Sequence, residues 1–562
     1  MANLLSHLTF LYGPEKAPHL LERVQKMASD YRTRTQGKTY DGELTERDSI
    51  LITYGDQVQS PDENPLQTLN KFCTQYLTDV VNGIHILPFY PWTSDDGFSV
   101  VDYRKVDPAL GDWDDISGMQ DHFRLMFDGV INHISAGSEW FKAFLQGDLK
   151  YRDYFVLVEG SPDLSHVVRP RALPLLTSFS TPSGEKRVWT TFSEDQIDLN
   201  FKNPEVLLEI LDIMLMYTGH GATFIRLDAI AYLWKEIGTS SIHLLQTHHV
   251  IQFLRAALDE AAPHVHLITE TNVPHVDNIS YFGDGTNEAQ LVYNFALPPL
   301  TLHSFHTGDA RTLSNWAKTL TLPSDKTSFF NFLASHDGIG LNPARGILSN
   351  EEIDLLVDKT LAHGGLVSYK NNPDGTQSPY EMNINYFDAL SNPNGDETLD
   401  LQIDRFIAAQ AIMLSLVGMP GIYFHSLFGS RGWLEGVQQT GRNRTINREK
   451  CDFDSLQREL ADSTSLRARV FNRYRQLLSI RRNSSAFHLH GKQRVLDLHP
   501  SIFAIERSSP DEKNRALCLQ NVSAHNITLH MPFESAVNLF TGQLLKSSQL
   551  LLTPYQVLWM KL

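Results

Sequence analysis

Three acidic residues each follow a short apolar run: Asp228 after Thr223-Phe224-Ile225-Arg226-Leu227, Glu270 after Val265-His266-Leu267-Ile268-Thr269, and Asp337 after Phe329-Phe330-Asn331-Phe332-Leu333-Ala334-Ser335-His336. Each run reads as a buried strand with functional groups at its C-terminal end. Side chains alternate along a strand, so Arg226 and Asp228 are expected on one face. A guanidinium fixed beside a carboxylate keeps it ionised and oriented. Two carboxyls about 5–5.5 Å apart are the apparatus of retaining glycoside chemistry, one attacking and the other moving the proton. Asp228, paired with Arg226, is the expected low-pKa nucleophile. Glu270 is the expected acid/base, its pKa raised by nearby negative charge and limited solvation. Asp337 would hold sugar hydroxyls in the oxocarbenium-like transition state. Any one of these acids could be a structural ion pair, but three strand ends with Arg226 and His336 beside them favour a shared site.

The elements that must position these acids form a rhythm. Strand candidates fall near residues 50, 84, 126, 225, 267, 292, 331 and 422, most of them separated by helical patterns such as 14–36, 66–80, 204–218, 243–261, 310–319 and 401–416. Eight alternating strands and helices predict an α/β fold of the (β/α)₈ TIM-barrel class, with functional residues at the C-terminal strand ends. Residues 1–133 read as the first part of the barrel. Residues 134–200, irregular and Pro-containing, break the rhythm as an inserted domain. Residues 201–337 resume the barrel, 338–400 form a loop-rich second insertion before the last strand, 401–487 end the barrel, and 488–562 show the short alternating strands of an antiparallel β-sheet domain.

Composition excludes several classes. The 562 residues are 42% hydrophobic and carry a net charge of −17, which argues against nucleic-acid or anionic-membrane partners. Cys73, Cys451 and Cys518 lie far apart without ligand spacing, so no zinc site or disulfide framework is expected. No apolar run approaches the roughly 20 residues of a membrane span. The N-terminus lacks a basic, cleavable leader. The expectation is a cytoplasmic protein.

These residues carry a resemblance. Asp128-Gly129-Val130-Ile131-Asn132-His133, Ile225-Arg226-Leu227-Asp228, the strand ending at Glu270, and Ala334-Ser335-His336-Asp337 resemble, in order and spacing, the four characteristic regions of the α-amylase family. The resemblance implies Asp228 as nucleophile, Glu270 as general acid/base and Asp337 as transition-state stabiliser, supported by His133, Arg226 and His336. It makes the first insertion domain B. Thr53-Tyr54-Gly55-Asp56, Leu87-Pro88-Phe89, Ser335-His336-Asp337-Gly338-Ile339-Gly340 and Arg444-Thr445-Ile446-Asn447-Arg448 resemble the sucrose phosphorylase group. By that resemblance Asp56 and Arg444 grip the far hydroxyls of a glucosyl ring, Phe98 stacks on it, and Gln196 lines the same subsite. The implied reaction transfers glucose to inorganic phosphate with retention, giving α-glucose 1-phosphate, with no metal or pyridoxal cofactor.

Where sucrose phosphorylases carry a Tyr-Gln pair, this chain has Tyr380-Glu381. Its Lys370-Asn371-Asn372-Pro373-Asp374-Gly375 loop, long N-terminal region and Thr191-Phe192-Ser193 are more similar to glucosylglycerate phosphorylases, which cleave 2-O-α-glucosylglycerate. Lys370 is then a candidate for the acceptor carboxylate, with Tyr380 beside it, and Arg169 or Arg171 for phosphate. Sucrose, sucrose 6′-phosphate or glucosylglycerol as donor, and hydrolysis or transglucosylation by the same acids, remain alternatives. A non-catalytic amylase-fold subunit would not keep the three acids. A homodimer is possible.

Overall fold

In the computed structural model, which describes residues 2–35, 42–170, 173–372, 376–530, 535–546 and 549–562, eight parallel strands close into a barrel. In chain order they are β1 (Ile50–Thr53), β2 (Gly83–Ile86), β3 (Arg124–Gly129), β4 (Ala222–Leu227), β5 (His266–Thr269), β6 (Leu291–Tyr293), β7 (Ser328–Asn331) and β8 (Met419–Tyr423). All eight predicted strand positions are occupied. Except at the outer ends of β3, β4 and β5, every barrel residue is buried, as strands covered on both faces require. Register sets the site: Asp128 on β3 lies opposite Arg226 on β4, and Leu227 lies opposite Thr269 on β5. Asp128, Asp228 and Glu270 therefore emerge at nearly one level. β7 stops at Asn331, so Asp337 is not a strand-end residue as its apolar run suggested; a loop carries it back over the barrel mouth.

The helices between strands start where side chains satisfy their first amides. Asn203 caps Pro204–Gly219 and Thr398 caps Leu399–Ser415. Several helices escaped the sequence reading, among them Asn350–Ala362 and Leu466–Arg482 and the two that follow. Ala2–Tyr12 is apolar nearly all round, which hides the Leu4/Leu8 stripe that it buries. Leu297–Thr307 opens with Pro298 and Pro299, which read as a loop but fit a first helical turn. Among the described residues, no helix is long and apolar enough to cross a membrane.

Between β3 and β4, His133–Ser135 pairs antiparallel with Gln196–Asp198, and the hairpin Leu176–Thr181/Gly184–Trp189 lies between them in sequence. The segment between β7 and β8 is more ordered than its composition suggested. It holds helix Asn350–Ala362, whose Ser349 and Glu352 form a reciprocal capping box, and a three-stranded sheet of Ile339–Gly340, Gln377–Asn383 and Leu366–Asn371.

The C-terminal domain is an antiparallel sheet in the order Lys492–Leu496, Ile502–Ser508, Arg515–Asn521, Val557–Lys561, Ala536–Asn538, Leu544–Leu545. Ile502–Ser508 is buried along its whole length, so its alternation separates two cores rather than core from solvent. Phe503 and Ile505 join the barrel's apolar core, while Ile502 and Ala504 pack with Leu517, Leu519 and Met560 on the other face. Phe503→Ala is expected to cost about 3–5 kcal/mol. Thr528→Ala, exposed on the neighbouring strand Ile527–His530, should stay within about 0.5 kcal/mol. Thermal unfolding midpoints of the two variants check the contrast.

Candidate active site

Arg226 and Asp228 share a face as alternation predicts, with Arg226 Nη1 3.1 Å from Asp228 Oδ1. Directly after Asp228 the backbone turns left-handed: Ala229 has φ 50° and ψ 34°, a conformation that non-glycine residues adopt at a cost of about 1–3 kcal/mol. The turned Ala229 N–H donates to Glu270 Oε2 at 3.1 Å, joining the end of β4 to the end of β5.

Arg226 does not belong to Asp228 alone. Its Nη1 makes its tightest pair with Asp128, fully buried on β3, whose other oxygen accepts His85 Nε2 at 2.8 Å. Arg226 Nη2 stands 4.0 Å from Glu270 Oε2. Burial pushes the Asp128 carboxyl up, but Arg226 and His85 outweigh it and bring it down to about 2. Asp228 receives less: burial, opposed by Arg226 and reinforced by the Glu270 charge, holds its carboxyl well above the usual range. Burial also raises Glu270, opposed by Arg226 and reinforced by Asp337. The expected low-pKa nucleophile is thus corrected. Both Asp228 and Glu270 are raised, because Asp128 takes the tightest pair with the guanidinium.

Asp337 sits among cations on the opposite side. Arg444 Nη1 lies 2.6 Å from Asp337 Oδ1, Arg448 Nη2 lies 3.7 Å away, and His336 Nε2 3.5 Å. Burial raises this carboxyl, but the charges of Arg444 and Arg448 bring it far below the ordinary value. Arg448 Nε donates to the His336 carbonyl at 2.8 Å, and its Nη1 pairs with Asp96. Burial brings His336 down to about 3, so the ring is neutral. Phe98 stacks on His336, ring centres 4.8 Å apart at 5°, with the Arg226 guanidinium 5.6 Å from its ring centre.

The antiparallel base of the first insertion supplies a further wall. His133 Nε2 donates to the Phe98 carbonyl at 2.9 Å, and Gln196 Nε2 donates to the same carbonyl at 3.2 Å. Asp95, Phe98, His133, Gln196, Asp228, Tyr232, Glu270, Asn272, His336, Asp337, Tyr380 and Arg444 line one cavity. An outer cavity adjoins it through Asp95, Tyr380 and Arg444, and adds Asp96, Ser368, Tyr369, Glu381, Arg442 and Arg448. His336 Nδ1, Asn272 Oδ1 and Arg448 Nη2 are buried polar atoms without a hydrogen-bond partner in the protein, and all belong to cavity residues. A polyhydroxylated ligand suits such a lining.

Of the residues singled out in the sequence, Asp228, Glu270, Asp337, Phe98, His133, Gln196, His336, Arg444 and Tyr380 line the inner cavity, with Arg226 against Asp228 behind it. Asp56 does not. It pairs with Lys450 Nζ at 2.5 Å and lines neither cavity. The acid at the wall is Asp95, whose sequence signal was its place in Asp95-Asp96-Gly97 beside Phe98; all three residues take positive φ. Lys370 also lies outside both cavities. Its amine donates to Asn342 Oδ1 at 3.2 Å, and burial together with nearby Arg345 lowers its pKa. Arg169 is exposed, and Arg171 lies outside the described residues, as do Pro373, Asp374 and Gly375. Glu381 and Arg448 were quoted in motifs but given no task. Lys235 gave no signal at all: it sits in an irregular stretch, yet its amine lies 2.8 Å from Asp198 and donates to Asn132 at 2.7 Å, bracing the insertion against the barrel.

The elevated carboxyl of Asp228 has a consequence for stability. Its folded pKa exceeds its unfolded one, so its contribution is least unfavourable at low pH and worsens as pH rises through the folded value. Asp228→Asn removes that penalty. The variant is expected to be inactive yet to melt higher than the wild type at pH 8, with a smaller gain at pH 5, in paired thermal melts.

Comparison with known proteins agrees with this geometry. The sequence profile of the α-amylase catalytic domain matches residues 73–339. A glucosylglycerate phosphorylase from Allomeiothermus silvanus is 51% identical over 560 residues, 99% of this chain and 98% of that protein. The glucosylglycerate phosphorylase of Escherichia coli is 45% identical over 99% of each chain. The crystal structure of sucrose 6F-phosphate phosphorylase from Thermoanaerobacter thermosaccharolyticum superposes with a TM-score of 0.74 at 25% identity, covering 92% of this chain and 99% of that one. The chain belongs to the α-amylase family, in the branch of α-glucoside phosphorylases that these relatives represent.

Proposed function

We propose that this protein is a retaining α-glucoside phosphorylase that transfers glucose from 2-O-α-glucosylglycerate to inorganic phosphate. The observation that carries the reading is near-full-length identity of 51% and 45% to glucosylglycerate phosphorylases. The site supplies the chemistry. In the reactive state Glu270 carries the proton and Asp228 the charge, which Arg226, 3.1 Å from Asp228 and 4.0 Å from Glu270, supports. Asp228 attacks the anomeric carbon. The glycosidic C–O bond breaks as Glu270 gives its proton to the departing glycerate oxygen. The product is a β-glucosyl ester on Asp228. A phosphate oxygen then attacks the anomeric carbon from the opposite face, the ester breaks, the Asp228 carboxylate returns, and Glu270 takes a proton from phosphate. Inverting twice gives α-glucose 1-phosphate. Asp337, ionised by Arg444, holds sugar hydroxyls while positive charge builds on the ring. Cations for the anionic acceptor and phosphate come from the outer cavity, where Arg442 has its nearest ion-pair carboxylate, Asp96, at 3.9 Å.

The direct test measures glucose 1-phosphate against free glucose from 2-O-α-glucosylglycerate, sucrose and glucosylglycerol, each with and without phosphate. Glucose 1-phosphate is expected fastest from glucosylglycerate; free glucose regardless of phosphate would make the protein a hydrolase. Glu270→Gln should slow glucosylglycerate phosphorolysis about 10²–10⁴-fold. It should slow α-glucosyl fluoride far less, since fluoride departs without a proton, whereas Asp228→Asn should abolish both. Lys370→Met, outside both cavities, should leave the apparent affinity for glycerate in the reverse reaction unchanged.

A further inference from the structure

The second insertion returns to the catalytic centre at Tyr380 and Glu381. Strand Gln377–Asn383 pairs with Ile339–Gly340, just beyond Asp337, and places Glu381 opposite Gly340. Glu381 is 2% exposed. Its two oxygens accept Arg444 Nε at 3.0 Å and Nη2 at 2.6 Å, and Oε1 also accepts the Gly338 N–H at 3.3 Å. A Cβ on Gly338 would come within 2.6 Å of Glu381 Cγ and 2.7 Å of the Met382 carbonyl, so loop and strand interlock here without room for a side chain. A two-pronged carboxylate fixes the plane of a guanidinium. With that plane fixed, the remaining nitrogen, Nη1, is held 2.6 Å from Asp337 Oδ1 as an ion pair rather than an aligned hydrogen bond. Glu381 spends both oxygens on this clamp, and it borders only the outer cavity.

We propose that Glu381 is a positioning residue of the glucosyl site, which clamps Arg444 in a fork and thereby keeps its positive charge beside Asp337, holding that carboxylate ionised and in place for the sugar. It acts through Arg444 and touches no reacting atom. The inference rests on the reading of Asp337 as the group that binds sugar hydroxyls in the transition state. It gives Glu381 a task different from acceptor recognition, and it makes the second insertion part of the catalytic frame, since its strand delivers the clamp.

Steady-state kinetics of five variants test it. Glu381→Gln keeps the shape but only one accepting oxygen, and should lower kcat about 10-fold. Glu381→Ala frees the guanidinium and should lower kcat about 10²-fold, the scale of a small misplacement. KM for glucosylglycerate and phosphate should hold within about twofold, as for a group whose effect falls on the transition state. Arg444→Lys, which cannot fill the fork, should cost as much alone as combined with Glu381→Ala, because the two act as one unit. The acid limb of the kcat/KM profile should move to higher pH in Glu381→Ala, since Arg444 is the strongest of the cations that hold Asp337 ionised. A raised KM for one acceptor with kcat intact would overturn the proposal in favour of a direct acceptor contact. Additive losses with an unmoved acid limb would overturn it in favour of a merely structural role. Asp337→Asn separates the levels: if it kept wild-type kcat, the reading of Asp337 itself would fall, whereas an inactive Asp337→Asn beside a fully active Glu381→Ala would sink only the clamp.

Discussion

Arg226 is one buried guanidinium placed among carboxylates that outnumber it. A buried charge is tolerable only when paired and hydrogen-bonded, and removing one member of such a group leaves the rest uncompensated. Asp128 on β3 takes the tightest pair, and His85 helps to hold it there. Asp228 and Glu270 are left with a smaller share of positive charge, and burial raises both carboxyls. A double displacement starts from one carboxylate ready to attack and one carboxylic acid ready to give up its proton. The left-handed turn at Ala229 completes the arrangement by aiming a backbone amide at Glu270 rather than along β4.

Around this centre the cations are divided by origin. The barrel strand supplies Arg226 to the reacting pair. The loop after β8 supplies Arg444 and Arg448 to Asp337, and these are tied in turn to Glu381 of the second insertion and Asp96 of the loop after β2. The first insertion contributes through its base, where His133 and Gln196 hold the Phe98 carbonyl and Lys235 pins Asp198 to the barrel. The polar side chains that line the inner cavity are thus held in direction by others behind them, as preorganised electrostatics demands. The acidity of the chain as a whole makes this local cationic wall necessary for an enzyme whose co-substrate is phosphate.

The barrel was legible because short apolar runs ending in polar groups recur at barrel spacing, and the three acids were legible because they follow such runs. What the sequence left obscure was non-local. Asp56 follows β1 just as Asp337 follows β7, and only the packing of Lys450 against it removes it from the site. Asp95 is distinguished from Asp96 only by tertiary partners: Asp96 pairs with Arg448, while Asp95 faces the inner cavity. The proton distribution was misjudged because Arg226 has a sequence neighbour, Asp228, and a stronger partner, Asp128, almost a hundred residues earlier in the chain. The helix Asn350–Ala362 was readable after all, from Ser349 and Glu352 three apart, but the Gly, Asn and Pro around it drew attention to loops.

The surplus of carboxylate over guanidinium at the level of Arg226 also bears on what the site recognises best. A neutral glucosyl ring gains little from it, and an anion in the inner cavity is repelled. A ring that carries positive charge at or beside the anomeric carbon is attracted, and increasingly so as Asp228 and Glu270 lose their protons. Sugar mimics with a protonated ring nitrogen therefore match the charge of this cavity more closely than the substrate does, and they fit best in alkaline solution, up to the point where the nitrogen loses its own proton.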